Sequence, residues 1–111
     1  MPKYLFLICV EENVSIPNGR EDGEAWAAEM DGRGVRQTGN ALHSRAEAKS
    51  VRVRDGKVLA TDGPFAETKE AIAGFDLIEC GSIDEAVEIA GKHPVARAGT
   101  IEIRELLDWP E

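Results

Sequence analysis

Sulfur, histidine and aromatic side chains are scarce in this chain of 111 residues. It contains two cysteines, two histidines, three phenylalanines, two tryptophans and one tyrosine. Cys9 and Cys80 do not form a CxxC pair, and His43 and His93 lack a metal-binding spacing such as HxxxH. The sequence therefore predicts two free thiols in a reducing cytoplasm, with no metal site and no cofactor.

Positive charge and long apolar runs are also limited. Acidic residues outnumber basic ones by 21 to 13, which gives a formal net charge of -8. Binding to nucleic acid or to an anionic membrane requires a basic surface, so the charge argues against both partners. The apolar run from Tyr4 to Val10 is too short to span a bilayer, and the N-terminus has no signal-peptide cleavage pattern.

One local cluster departs from the acidic average. Its basic side chains lie within a short span: Arg45, Lys49, Arg52, Arg54 and Lys57. Such a cluster is either a solvated strand face or an anion-binding wall.

The sequence contains none of the familiar catalytic motifs. It has no nucleophile elbow, no phosphate-binding glycine loop and no dinucleotide fingerprint.

The N-terminal half predicts a buried strand followed by a helix. The run from Tyr4 to Val10 is typical of a central strand that is buried on both faces. The segment from Asp22 to Arg33 predicts a helix, with its first residue as the N-cap and with Trp26 and Met30 on one buried face. Val35 to Ser44 has no regular pattern and is predicted to be irregular.

A β-hairpin is predicted next along the chain. Asp55-Gly56 is typical of a two-residue turn in which both central residues have positive φ. It joins Ser50 to Arg54, which alternates like a half-buried strand, to the second strand, Lys57 to Thr61. That second strand leads directly into Asp62.

The C-terminal half predicts a strand, a helix and a final strand. Gly74 to Cys80 and Thr100 to Leu106 are the strands, and Ser82 to Glu85 is a capping box before the helix. We interpret residues 1–111 as a single α+β domain of order βαββ(β)αβ, with an antiparallel sheet and both helices on one face. The other face would be a large apolar patch, so we expect a homodimer that buries sheet against sheet.

The segment from Thr61 to Glu70, TDGPFAETKE, is the most particular part of the sequence. It combines a Gly-Pro turn with four ionisable side chains immediately after the hairpin. Together with Gly74-Phe75, Asp84 to Ala86 and Ile101 to Arg104, it resembles the DGPF branch of the YCII-related family. The resemblance implies a bacterial protein of ferredoxin-like, dimeric α/β-barrel fold. It also implies an enzyme-like cleft without an agreed reaction, and a gene neighbourhood that makes an extracytoplasmic-function sigma factor a candidate partner.

The resemblance carries Asp62 over as an acid/base candidate, although a turn aspartate can instead cap its own backbone. The family's first-helix histidine is missing here, so His43 is either the candidate replacement for it or a surface residue with no role in the cleft. Asp76 stands where the family commonly has an aromatic residue. The predicted ligand-binding residues are Arg52 from the basic cluster and Phe65, Glu67 and Lys69 from the segment TDGPFAETKE.

Three functions remain open on the sequence alone. The first is a cofactor-independent enzyme that acts on a small polar metabolite, with Asp62 as acid or base. The second is a ligand-sensing or partner-binding module that uses the same cleft without turnover. The third is a structural dimer whose acidic loop locks the interface.

Overall fold

The computed structural model describes residues 1–64 and 69–108. Within them the chain forms six strands and two α-helices, which confirms the predicted α+β class. The elements are β1 (Lys3–Glu11), α1 (Gly19–Gly32), β2 (Arg36–Ala41), β3 (Lys49–Arg54), β4 (Lys57–Asp62), β5 (Glu70–Glu79), α2 (Ile83–Gly91) and β6 (Thr100–Glu105). Short 3₁₀ turns occupy Arg45–Glu47 and Pro94–Arg97.

Four strands form the main sheet, in the order β2-β5-β1-β6 with every neighbouring pair antiparallel. Strands β1 and β2, which α1 connects, lie on either side of β5. Strands β5 and β6, which α2 connects, lie on either side of β1. These two interleaved split βαβ units make the ferredoxin-like plan that the sequence predicts. Both helices pack on the same face of this sheet, where one buried cluster contains side chains of both helices, β1 and β5.

The two faces of the main sheet differ in how well they are covered. On β1 the buried side chains Tyr4, Phe6 and Ile8 point toward the helices, whereas Leu5 and Leu7 are only half-buried. The prediction that this strand is buried on both faces is therefore wrong for the single chain. We call the uncovered side the open face. Strand alternation and register place these apolar side chains on it: Leu5, Leu7, Cys9, Phe75 and Leu77.

Strands β3 and β4 form a separate two-stranded sheet, which we call the arm (residues 49–62). Asp55 and Gly56 have φ values of 52° and 74°, which confirms the predicted turn. The predicted half-burial of β3 is wrong, because Val51 and Val53 are 62% and 57% exposed. Neither of its strands pairs with a strand of the main sheet.

Strand β2 supplies the sheet position that the hairpin was expected to fill. The prediction of an irregular segment here is wrong: residues Arg36–Ala41 pair with β5 and include a register shift between Arg36 and Thr38. The strand lies at an edge of the sheet and is made of polar and small residues. It therefore lacks the apolar alternation by which a strand is recognised in a sequence.

The helices begin differently from one another. Helix α1 starts three residues before the predicted position, with Asn18 at its N-cap in the left-handed conformation (φ 56°). Asp22 is thus not the cap; its carboxylate instead accepts a hydrogen bond from Arg97 at 2.8 Å. The capping box of α2 is confirmed: Ser82 Oγ accepts from the Glu85 backbone N–H, and the Glu85 carboxylate accepts from the backbone N–H of Gly81.

Candidate functional site: a cleft on the helix side of the sheet

Asp62, the predicted acid or base, lies at the end of the arm. Its side chain is 82% exposed and forms an ion pair with Lys49, its register partner on β3. It lines none of the three cavities described below. Among the described residues, this carboxylate is exposed at the surface and does not lie in a cleft.

His43, the predicted partner of Asp62, is paired elsewhere. Its Nδ1 lies 3.2 Å from a carboxylate oxygen of Glu47, and its side chain is 93% exposed. It lines a cavity of about 410 Å³ together with Leu42, Ser44 and Arg45. In the described structure, His43 and Asp62 therefore each contact a different charged side chain, and no contact joins the two.

Two of the four predicted ligand-binding residues, Arg52 and Lys69, lie in the described part of the structure. Arg52 is exposed on the arm. Lys69 lies 3.3 Å from a carboxylate oxygen of Glu11 on β1. Phe65 and Glu67 lie outside the described residues, so their predicted roles stay predictions.

A concave site lies elsewhere, between α1, β2 and β5. We call it the helix-side cleft; it has a volume of about 500 Å³, which is in the range of small-molecule sites. Its polar and aromatic lining includes Trp26, Arg36, Asn40, Asp76 and His93, and two charged residues of α1, Arg20 and Glu24, also line it. Arg36 and Asn40 come from β2 and Asp76 from β5, its neighbour in the main sheet.

Asp76 is the buried charged residue of the described core, with 6% of its surface exposed. It lies on the helix-facing side of β5, and its Oδ1 accepts a 2.8 Å hydrogen bond from Arg36 Nε. Arg36 Nη1 also donates to both carboxylate oxygens of Asp31, at 3.2 and 3.3 Å. One guanidinium thus serves two carboxylates, which leaves the three-residue cluster with a net negative charge.

Burial controls the protonation of this cluster. Removal from water raises the pKa of Asp76, and the Asp31 carboxylate adds to that effect, while the hydrogen bond and charge of Arg36 oppose it. The pKa of Arg36 is raised, chiefly by its hydrogen bond to Asp76. A carboxyl group with a raised pKa in a cleft is the arrangement that general acid–base chemistry uses.

Gly39 makes room for the ion pair. A Cβ on this residue would overlap Asp76 Oδ1, and it would lie 2.8 Å from both Arg36 Nη2 and the backbone oxygen of Phe75. No side chain other than hydrogen fits there unless the strand moves. The glycine in the polar sequence of β2 is therefore what allows Arg36 to lie flat along the sheet and reach Asp76.

Trp26 forms the inner wall of the cleft. It lies on the buried face of α1, as predicted, and its Nε1–H donates a 3.0 Å hydrogen bond to the backbone oxygen of Ile89 in α2. Its ring is 6.5 Å from that of Phe6 and 4.7 Å from that of His93. The indole is therefore fixed from three sides, and it joins the two helices to the sheet.

His93 closes the cleft at the end of α2. Its Nδ1 accepts a 3.0 Å hydrogen bond from the backbone N–H of Val95, so the ring proton of the neutral form lies on Nε2. Burial lowers the pKa of His93 to about 4. The imidazole is thus a neutral Nε2–H donor at pH 7, and it also lines a second cavity of about 290 Å³ beside Asp22 and Arg97.

His93 is expected to make the protein less stable in acid. Its pKa in the folded state lies below the 6.5 of the unfolded chain, so the unfolded chain binds the extra proton and stability falls as pH decreases from about 6.5 toward 4. Because the ring keeps some solvent contact, we expect this loss to be about 1–2 kcal/mol. Urea unfolding at pH 7.5 and pH 4.5 measures it.

The variant His93→Asn tests the assignment, because the Asn side-chain oxygen can replace Nδ1 as the acceptor for Val95 N–H. We expect it to lose most of the 1–2 kcal/mol pH-dependent difference between those conditions. The control His43→Gln removes the exposed histidine and should behave as wild type. An unchanged pH dependence in His93→Asn would contradict the assignment.

The cleft was missed in the sequence for an identifiable reason. The family resemblance marks Asp76 only as a departure from a commonly aromatic position, and Arg36 and Gly39 lie in a segment without a regular pattern. One signal was present: in Phe75-Asp76-Leu77 a charged residue interrupts an apolar strand, and such a residue needs a partner if it is buried. The identity of that partner could not be read from the sequence.

Two further features of the described residues complete the picture of the site. In residues 1–64 and 69–108 no group of three or more His, Cys, Asp and Glu side chains is arranged to hold a metal ion. In that same part of the chain, no helix is both long and apolar enough to cross a membrane. Cys9 and Cys80 are free thiols, as predicted.

Comparison with known proteins gives the chain its family. It is 44% identical over 61 residues to an uncharacterized protein of Rhizobium meliloti (strain 1021), an alignment that covers 53% of this chain and 49% of that protein. The chain thus matches about half the length of this relative. The family model of the YCII-related domain matches residues 4–110, nearly the entire sequence. The chain therefore belongs to the YCII-related domain family.

Proposed function

We propose that the protein is a cofactor-independent enzyme that acts on a small polar, carbonyl-containing metabolite bound in the helix-side cleft. The observation that carries this proposal is Asp76, a buried carboxyl group with a raised pKa that lines a cavity of ligand size. In the proposal, Asp76 takes the acid/base role that the sequence had given to Asp62.

The hydrogen bonds within the cleft give Asp76 and His93 different roles in the proposal. Arg36 holds Asp76 through Oδ1, which leaves Oδ2 as the oxygen available to a ligand. His93 presents Nε2–H, because its other nitrogen is engaged by Val95. A carboxylate that accepts a proton and a neutral imidazole that donates a hydrogen bond are the two groups needed for proton transfer next to a carbonyl.

The proposed chemistry balances without a co-reactant. Asp76 removes a proton from the carbon next to the substrate carbonyl, and the electron pair moves onto the carbonyl oxygen. His93 Nε2–H stabilises the resulting oxyanion by a hydrogen bond. Return of the proton from Asp76 to a different atom of the substrate completes a tautomerisation.

An alternative is ligand sensing without turnover, and one observation favours it. Asp76 and Arg36 already form an ion pair at 2.8 Å, and a paired carboxylate is suited to recognise a polar ligand as much as to transform it. As a sensor the chain would act on a partner protein. The resemblance to the DGPF branch makes a sigma factor the candidate for that partner.

A metabolite panel tests the proposal. Turnover and ligand-observed NMR binding would be measured for the wild type, for Asp76→Asn and for Asp62→Asn, a matched loss of one carboxylate charge. We expect Asp76→Asn to lower turnover at least about 100-fold, the usual contribution of a general acid or base, with the fold intact by circular dichroism. Asp62→Asn should stay within about twofold of the wild type, because its carboxylate is exposed and outside the cleft.

The other outcomes also decide between the hypotheses. Loss of turnover in Asp62→Asn alone would move the acid/base role back to the arm and refute the assignment to Asp76. Binding without turnover in every variant would support sensing. If no compound binds the wild type, both cleft hypotheses fail and the structural-dimer hypothesis gains support.

A further inference from the structure

A second cavity lies between α1 and the segment that follows α2. We call it the interhelix slot; it has a volume of about 290 Å³. Sites for drug-sized molecules measure about 300–1,000 Å³, so the slot suits a smaller ligand. It shares Trp26 and His93 with the helix-side cleft, whereas its other lining residues do not line that cleft. The slot is therefore a separate site with two side chains in common.

The two walls of the slot carry opposite charges. Helix α1 contributes Asp22 and Glu29, which lie seven residues apart and hence on one face of the helix. Lys92, directly after α2, and Arg97, in the 3₁₀ turn that follows, line the other wall. One wall is thus negative and the other is positive, so the slot is suited to a ligand that carries both charges.

Contacts between the walls show which charges face each other. Arg97 is joined to Asp22 by an ion pair at 2.8 Å. Trp26, four residues further along α1, contacts His93, which precedes Arg97 by four residues. The two walls therefore run in opposite directions, and Glu29 lies toward the same end of the slot as Lys92.

An ion pair closes one end of the slot but not the other. Arg97 is fixed there, because it donates to Asp22 and its Nε also donates to the backbone oxygen of Pro94 at 3.3 Å. Among the described residues no ion pair joins Glu29 to Lys92. The Glu29 carboxylate lies 4.0 Å from Arg33 of its own helix. A carboxylate and an ammonium group on opposite walls are thus available to a ligand at this end.

The lining between the charges is small and apolar. Ala25 of α1 and Gly91 of α2 have the shortest side chains of the slot, and a Cβ on Gly91 would meet nothing within 4 Å. The indole of Trp26 is held in place by its hydrogen bond to the backbone oxygen of Ile89. An apolar group of a ligand can therefore pack against a fixed aromatic ring.

We propose that the interhelix slot binds a free α-amino acid with an apolar side chain. The ammonium group of the ligand pairs with Glu29, and its carboxylate pairs with Lys92, while its side chain packs on Trp26. A molecule with only one of the two charges leaves one wall without a partner and is bound less well. The proposal goes beyond the proposed function, because it requires neither Asp76 nor turnover.

Protein-observed NMR titration with L-leucine tests the site. We expect a dissociation constant of about 1 mM, which is reasonable for a ligand of about nine heavy atoms. The backbone amide signals of Ala25 and Gly91 should shift, because these residues line the slot and not the helix-side cleft. N-acetyl-L-leucine and L-leucinamide each lack one charge and should bind at least about fivefold more weakly.

Matched variants identify the two charged partners. Glu29→Gln and Lys92→Gln should each weaken L-leucine binding at least about fivefold, because each removes one charge from the slot. The controls Glu88→Gln and Lys57→Gln remove the same charges outside the slot and should stay within about twofold of the wild type. Asp76→Asn should also bind L-leucine like the wild type, so failure of the cleft chemistry and failure of the slot can be told apart.

Four outcomes would overturn the proposal. The first is a wild type without saturable shifts up to about 20 mM L-leucine, well above the affinity expected for a ligand of this size. The second is equal binding of L-leucine and its two singly charged analogues. The third is unchanged affinity in both Glu29→Gln and Lys92→Gln. The fourth is a set of shifts confined to Asn40 and Gly74, which line only the helix-side cleft and would place the amino acid there.

Discussion

Trp26→Ala is expected to lower the free energy of unfolding by about 3–5 kcal/mol, the usual cost of emptying a large aromatic site in a core. The indole contacts the rings of Phe6 and His93, and it hydrogen-bonds to the backbone of Ile89. Its removal therefore separates α1 from both the sheet and α2. Since small domains have total stabilities of about 5–15 kcal/mol, urea unfolding should show a much lower midpoint or a partly unfolded protein.

The matched control for this prediction is Trp26→Phe. Phenylalanine keeps most of the apolar volume but loses the Nε1–H donor, which leaves the backbone oxygen of Ile89 without that bond. We expect a cost of about 1–2 kcal/mol for this variant. If Trp26→Ala and Trp26→Phe were equally destabilising, the hydrogen bond rather than the packing would be the main contribution, contrary to our expectation.

Gly39→Ala has the second largest expected effect. The added methyl group would overlap Asp76 Oδ1 and press on Arg36 Nη2 and the backbone of β5. Moving the ion pair apart leaves a buried charge poorly compensated, so we expect a loss of about 2–4 kcal/mol in the free energy of unfolding. Chemical denaturation measures this loss, and NMR titration of Asp76 reports whether the pair has separated.

Gly32→Ala provides the control, because a Cβ at that helical position meets nothing within 4 Å. Alanine has the higher helix propensity, so this variant should be neutral or slightly more stable. The contrast isolates the effect of the Asp76 contact from the general effect of a Gly-to-Ala change on the unfolded chain. A wild-type stability for Gly39→Ala would show that β2 shifts freely and that the ion pair does not depend on the glycine.

The elements that the sequence predicted well are those with strong local signals. Strand β1 is a continuous apolar run, and α2 follows a capping box with apolar residues at helical spacing, so each was recognised from its own residues. Strand β2 had no such signal, because an edge strand of polar residues is specified by its pairing with β5. The split βαβ plan was right even though the hairpin was expected to supply a strand that β2 provides.

The arm shows a different limit of prediction from the sequence. The alternation of Val51 and Val53 with Arg52 and Arg54 correctly predicted a strand with one apolar face. The same alternation cannot say whether that face is buried by the rest of its own chain or by another molecule. The expectation of half-burial failed for this reason.

The candidate site was predicted less well than the fold. Family resemblance drew attention to Asp62, whose surroundings in the described structure are exposed. The cleft residues Arg36 and Asp76, with Gly39 beside them, come from strands that are neighbours only after folding, and the Arg36–Asp76 contact joins residues 40 positions apart. A short sequence window contains no information about such a pair.

The edges of the main sheet affect what happens when the protein is concentrated. Strand β2 has an interruption in its register, and it directs the charged Arg36 inward, while the other edge, β6, carries Glu102, Arg104 and Glu105. The irregular register of β2 with its inward-pointing Arg36, and the charged side chains of β6, both hinder another strand from pairing with an edge. Growth of the main sheet into fibres is therefore hindered at both of its edges, and we expect concentrated molecules to remain as discrete particles.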